Sequence, residues 1–432
     1  MTEYHTPDSA AAVASPRRAG LARAEVLPLA ASGAAFFCLL ACYYVLRPVR
    51  DALAAGLGAD AIKYLSSAVF FVMLGLAPLF GWLVAHVPRA RLVPALFGFF
   101  IVNLAIFALA FGGDDGTAAA PWWARTFYVW ITVFNLFAVS VFWSRMADVW
   151  NEAQGRRLFG VISAGGSCGG LVGPLLARSL AAHVAVSGLV WISAALLAGA
   201  LAALCTLAAV QPAERVRTGA PAAAEPAVTA LGGLWLIGRT PFLAGIAALV
   251  CFSSLLGMVV YIEMARLVGV TYPTVAARTA FFASRDLWVN GGALLIQLLF
   301  VGQVTRRLGV GAALVAAAAL SSVAFAALGL VPTLATLTVV SVVLRCGEFG
   351  IAKPARDMCY TVVPAAARYQ SKNFIDTALY RGSDMASGWL QAAVSRLGVG
   401  LAGWGWISAA LAGSAIAVAA VVGRGYRRRG GL

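Results

Sequence analysis

Residues 28–51 read PLAASGAAFFCLLACYYVLRPVRD. A helix needs about 20 apolar residues to cross the hydrocarbon core of a bilayer, and this run supplies them. It then ends in Arg47, Arg50 and Asp51. The length predicts a membrane span, and the charges at its end predict a span that faces protein or water there.

The same reading extends along the chain. Apolar runs at 61–87, 92–112, 122–147, 158–182, 186–209, 241–266, 279–302, 308–330, 333–352, 373–396 and 399–422 predict eleven further spans. The fold class expected is therefore an all-α membrane protein with twelve transmembrane helices. Composition agrees: of 432 residues, 61% are hydrophobic and 11% charged. A soluble domain carries roughly a quarter charged residues, so a soluble enzyme with a single anchor is excluded. A disordered chain is excluded as well, and so is a β-barrel, whose apolar signal per strand is weaker.

Residues 210–240 interrupt the pattern with a polar, Pro/Ala-rich stretch that reads as a linker. The expected organisation is a tail at 1–26, a six-helix half at 27–209, the linker at 210–240, a second half at 241–423 and a tail at 424–432. The halves echo each other weakly: Arg145-Met-Ala-Asp148 closes span four, and Arg345-Cys-Gly-Glu348 lies in span ten. Two six-helix halves around a cytoplasmic loop are the architecture of the major facilitator superfamily.

The net charge of +15 fits the positive-inside rule better than nucleic-acid binding, because no soluble basic domain exists to hold a nucleic acid. With the N-terminus inside, the inward segments carry 21 of the 32 basic residues, counting Arg145. Both termini are expected in the cytoplasm, and the localisation expected is a bacterial inner membrane. Seven scattered Cys and three scattered His give no metal-ligand spacing, so no metal or cofactor is expected. No nucleophile and base stand together, and the chain does not read as an enzyme.

The residues that carry function are charges inside apolar spans. They are Arg47, Arg50 and Asp51, Arg145 and Asp148, Glu263 and Arg266, Arg285 and Asp286, Arg345 and Glu348, and Arg381 and Asp384. Many stand three or four residues apart and share a helix face. Self-neutralising pairs that let a polar helix insert are one explanation. A solute site with gating pairs between two rocking halves is the other. Seven Arg against six acids is close to balance, so a highly charged ligand is not demanded. Glu348 and Asp384 read either as proton-relay carboxylates or as acids that hold neighbouring Arg in place. Gly165, Gly169 and Gly173 recur at four-residue spacing in span five and predict close helix packing.

Several stretches resemble the ATP/ADP translocase family of intracellular bacteria and plastids, a distant branch of the major facilitators. Tyr44-Val-Leu-Arg-Pro-Val-Arg-Asp51 is similar to the family's Leu-Arg-Asp-Thr-Lys-Asp stretch. Glu152-Ala-Gln-Gly-Arg-Arg-Leu-Phe-Gly160 is similar to its acid-Ala-Lys-Arg-Phe-Tyr loop, and Tyr261-Ile-Glu263 to its Val-Glu step. Pro354-Ala-Arg-Asp-Met-Cys-Tyr360, Lys372-Asn-Phe-Ile-Asp376 and Arg381-Gly-Ser383 resemble elements near its spans ten and eleven. By motif, the positions the family uses in nucleotide exchange fall on Arg50, Glu152, Glu263 and Arg381. Pro48 and Val49 depart from the pattern, Arg50 stands for Lys, and the Arg381 element has no Lys.

The resemblance implies a secondary active transporter working by alternating access, exchanging nucleotides or another phosphorylated anion, as a monomer. The second reading is proton-coupled transport of a different small solute, and the third a non-transporting scaffold or sensor. Expected solute contacts are Arg47, Arg50, Glu263, Arg285, Arg345 and Arg381. Expected gating or coupling residues are Asp51, Arg145, Asp148, Glu152, Glu348 and Asp384. The expected partners are a small anionic solute, protons and the lipid bilayer.

Overall fold

The computed structural model describes residues 23–112, 121–210 and 230–430, which are helical almost throughout. The first bundle contains α1 (Arg23–Gly56), α2 (Ala59–His86), α3 (Arg89–Ala110), α4 (Pro121–Val149), α5 (Glu152–Leu180) and α6 (Val186–Val210). A short helix α7 (Ala230–Arg239) leads into α8 (Pro241–Thr271). The second bundle continues with α9 (Val275–Ile296), α10 (Gly302–Leu330) and α11 (Leu334–Gly347), then α12 (Lys353–Cys359) and α13 (Ala365–Phe374). It closes with α14 (Tyr380–Ser395) and α15 (Leu401–Arg428).

Among the described residues, ten helices are long and apolar enough to cross a membrane. The other two expected spans, 279–302 and 373–396, are also helices. They fall short in hydropathy, because α9 carries Arg278, Arg285 and Asp286, and the 365–395 segment carries Lys372, Asp376, Arg381 and Asp384. The charges that mark a candidate site are the charges that lower the apolar signal. Most of the expected linker, 211–229, lies outside the described residues, as do the Asp114–Asp115 loop and residues 1–22. The linker's last ten residues form α7, whose Ile237 is buried with Phe242 and Tyr426.

Each bundle is stapled by glycine. On α5 a methyl at Gly169 would lie 2.3 Å from the Phe37 carbonyl oxygen, and one at Gly165 would lie 2.5 Å from that of Gly33. The four-residue glycine spacing is therefore a seam of direct backbone contact between α5 and α1. In the second bundle, Gly423 of α15 would place a methyl 2.5 Å from Gly311 Cα on α10. The first bundle adds an aromatic core: Phe107 meets Phe127 edge-on at 5.1 Å, and Trp130 stacks on Phe134 at 5.3 Å.

Among the described residues, three π-turns interrupt the second bundle, at Gln297–Val301, Glu348–Ala352 and Ile375–Leu379. Single π-turns inside α-helices gather at functional sites, because each extra residue re-aims the side chains that follow.

The bundles meet mainly through α1 with α9, α5 with α9, α2 with α14 and α1 with α8. The C-terminal ends of α1 and α8 approach so closely that a methyl at Gly269 would lie 2.7 Å from the Ala55 carbonyl oxygen. We call this the far end and the opposite one, where α1 begins, the tail end. Trp389 donates its indole N–H to Ser67 Oγ at 3.0 Å across α14 and α2. Asn290 Nδ2 donates to the Gly170 carbonyl at 2.6 Å across α9 and α5. Among the described residues α4 makes no more than isolated contacts with α11–α14, so the interface is sealed toward the far end and not along α4.

Candidate functional site

The charges inside the spans collect into three groups, one across the interface and two within the second bundle. The first lies where α1, α8, α9 and α11 converge. Arg47 reaches Asp286 at 3.5 Å, and Arg285 lies 3.9 Å from Asp51 and 3.8 Å from Asp286. Arg50 holds Asp51 with two donors, at 2.9 and 2.7 Å, and Tyr261 donates its hydroxyl to the same carboxylate at 3.1 Å. Arg285 is further held by Ser341 Oγ at 2.7 Å. Asp51, Arg285 and Asp286 are buried, at 1%, 3% and 0% relative exposure.

These contacts cross between the bundles: Arg47 and Asp51 come from α1, and Asp286, Arg285 and Tyr261 from α9 and α8. A charge at the centre of a span costs about 2.5–3.5 kcal/mol on insertion scales unless it is paired or hydrated, which explains their convergence. The pairing is strong in charge and weak in geometry. Both oxygens of Asp286 and Oδ2 of Asp51 make no hydrogen bond among the described residues. Asp286, held across the bundles by charge without a hydrogen bond, suits a contact that must break and re-form.

The second group lies within the second bundle. Glu348 accepts from Arg356 at 2.5 and 3.3 Å and from Ser253 at 2.6 Å. Asp384 accepts from Ser254 at 2.5 Å and lies 3.6 Å from Arg381. Arg381 also sits over the Tyr380 ring, 5.6 Å from its centroid. Arg345 lies beside Gly257 of α8, where a methyl would sit 3.9 Å from one of its terminal nitrogens. In the third group, buried Glu263 is held by Arg266 at 2.6 Å and by Gln391 of α14 at 3.2 Å.

Nine of the twelve expected residues therefore fall in these groups. The Arg345–Glu348 spacing predicts a pair, but the π-turn that starts at Glu348 turns its carboxylate toward Arg356, eight residues on. Arg145 is buried on α4 near the tail end, and Asp148 follows it one turn later, away from the three groups. Glu152 pairs with Arg156 at 2.7 Å on the exposed start of α5. The tail meets this same region: Glu25 of α1 pairs with Arg157 at 2.6 Å.

Sequence reading missed Ser253, Ser254, Ser341, Tyr261 and Arg356 as site residues. The serines carry no signal beyond being polar within spans. Tyr261 stands two residues before Glu263 in a quoted motif, and Arg356 stands in the Pro354–Tyr360 motif, between the expected spans 333–352 and 373–396. Lys63, buried at the start of α2, reaches Asp60 at 2.6 Å and lies over the rings of Tyr64 and Trp389.

No family model matches this chain, and no curated protein matches it in sequence. Solved structures do match in shape. The nucleoside transporter NupG is 13% identical with a TM-score of 0.64, covering 93% of this chain and 98% of that one. A POT family transporter in complex with a thioalcohol-conjugated peptide is 12% identical with a TM-score of 0.64, covering 91% and 95%. A bacterial homolog of the human lysosomal transporter Spinster, inward-facing and unoccupied, is 13% identical with a TM-score of 0.57, covering 95% and 99%. The fold is of the major-facilitator type. In this fold the first charged group lies between the two bundles and the other two lie within the second. None of these comparisons singles out the ATP/ADP translocase family.

Proposed function

We propose that the chain is a twelve-span secondary transporter that carries a small anionic solute between its bundles by alternating access. The observation that carries this reading is the buried set of inter-bundle ion pairs, Arg47–Asp286 and Arg285–Asp51, at 3.5 and 3.9 Å. A static scaffold gains nothing from buried ionic contacts that lack hydrogen bonds, since apolar packing of similar volume is often as stable. A carrier that opens and closes needs contacts that water and solute can replace.

In this reading Asp51 and Asp286 belong to the gate at the far end, and the cavity opens toward the tail end. Arg47, Arg50, Arg285, Arg345 and Arg381 supply positive charge to the solute, while Glu263, Glu348 and Asp384 change partners during the cycle. The tail end faces the cytoplasm of a bacterial inner membrane, and the protein works as a monomer. The translocase resemblance supports exchange of nucleotides or another phosphorylated anion. The proton-coupled reading draws support from Asp384, whose nearest Arg lies at 3.6 Å while a serine hydroxyl binds it at 2.5 Å.

The test is tracer counterflow into proteoliposomes preloaded in turn with ATP and ADP, other phosphorylated metabolites, amino acids and sugars. Saturable counterflow of any of these supports transport. Wild-type vesicles that move none of them, with or without a proton gradient, overturn it.

A further inference from the structure

Arg345 differs from the other arginines of the charged belt. Arg47 has Asp286, Arg50 has Asp51, Arg285 has both, Arg356 has Glu348 and Arg381 has Asp384. Arg345 has no carboxylate within 4.0 Å and makes no side-chain hydrogen bond among the described residues. It is the twelfth residue of α11, about 17 Å along the helix from its start, and so deep in the span. The carboxylates of its group are Glu348 and Asp384. Both are already engaged: Glu348 by Arg356 and Ser253, and Asp384 by Ser254 and Arg381.

Gly257 of α8 faces it. A methyl there would lie 3.9 Å from one of its terminal nitrogens, so the guanidinium packs beside the bare backbone of α8. The fork is half-buried and has no protein partner.

We propose that Arg345 seats the anionic group of the solute, and that this group is a single carboxylate. The proposal rests on the transport reading of a small anionic solute and takes a carboxylate in place of the phosphorylated anion that the translocase resemblance supports. The guanidinium fork matches the two oxygens of a carboxylate. Charge decides between anions. By ion pairs within 4.0 Å, Arg356 takes Glu348 and Arg381 takes Asp384, which leaves Arg345 as the one unpaired guanidinium of the three. A carboxylate carries one negative charge. A phosphate monoester carries about −1.5 to −2 at neutral pH, and a nucleoside triphosphate carries more. Of a carboxylate, a phosphate monoester and a nucleoside triphosphate, the carboxylate is the one that matches a single unpaired guanidinium without leaving excess charge deep in the span.

The experiment uses the full chain in detergent, with thermal melts against pyruvate, benzoate, glycine, inorganic phosphate, AMP and ATP. A ligand that binds the native state raises the melting temperature by mass action. The expected result is a saturable rise with at least one of the three carboxylates and none with phosphate, AMP or ATP. In Arg345→Gln the apparent affinity falls at least about tenfold, as expected when a charged fork is lost. Arg345→Lys keeps the charge without the fork and gives an intermediate affinity, which is read if the Gln variant does not fold.

Stabilisation by AMP or ATP alone overturns the proposal. So does a carboxylate response that survives unchanged in both variants, or no response to any of the six compounds. Wild-type counterflow of a phosphorylated solute, equally fast in Arg345→Lys, also overturns it and leaves the transport reading standing. Wild-type vesicles that move no solute at all overturn both.

Discussion

The two bundles carry the same kind of fold in different materials. The first is locked by an aromatic core and by the glycine seam of α1 and α5, and among the described residues its helices carry no π-turn. The second holds three π-turns and the whole Arg345–Glu348–Asp384 group. The π-turns at 297–301 and 348–352 touch: Gln297 Nε2 donates to the Phe349 carbonyl at 3.1 Å. The difference teaches where motion belongs. A bundle built of interlocked rings resists bending. One with irregular turns beside buried charges can re-aim its side chains at low cost.

The largest effect that would sharpen this contrast lies at the seam between the bundles. Asp286→Ala strands Arg47 and leaves Arg285 to Asp51 and Ser341, and breaking a buried pair from one side costs about 3–5 kcal/mol. Loss of folded yield, or a marked drop in melting temperature, is expected by size-exclusion chromatography and thermal melts. A variant as stable as wild type would mean that water already solvates the pair.

Next comes the rigid bundle itself. Gly169→Ala drives a methyl to 2.3 Å from the Phe37 carbonyl oxygen, so the α1–α5 seam must part. Overpacking of this kind costs about 1–3 kcal/mol. Thermal melts check it, and a neutral outcome would break the claim that this seam is tight.

Hydrogen exchange reads the contrast without mutation. Amides in and just after the π-turns at 348–352 and 375–379 are expected to exchange at least about tenfold faster than those of α5 at equal depth, since irregular turns open locally at lower free energy. Equal protection in the two bundles would remove the proposed asymmetry. The smallest effect concerns Glu152, which pairs with Arg156 on an exposed helix start. Glu152→Ala is expected to change stability by no more than about 0.5 kcal/mol and to leave solute binding unaltered. A lost binding response would return Glu152 to the site that the translocase motif implies for it.

Much of this was legible in the residues. Span-length apolar runs located the helices, and charges within them marked Arg47, Arg50, Asp51, Arg285, Arg381 and Asp384. Pairing was less legible. Helical spacing joins neighbours on one chain segment, so it cannot see Arg47 meeting Asp286 across two bundles. It also assumes regular turns, and the π-turn at Glu348 breaks that assumption and gives Arg356 the partner that spacing assigned to Arg345. The count of spans was obscured by the site's own chemistry, because α9 and the 365–395 segment give up hydropathy to carry charge.

The central claim is that the far-end ion pairs form a gate that opens. It is tested most directly by electron–electron resonance distances across that end, between spin labels at Ala59→Cys on α2 and Val270→Cys on α8 in a background without native cysteines. The account predicts a short main distance with a second, longer population. That population grows in Asp286→Asn, which weakens the pairing of Arg47 and Arg285 while keeping the shape. One unchanged distance in both proteins, with and without solute, would contradict it.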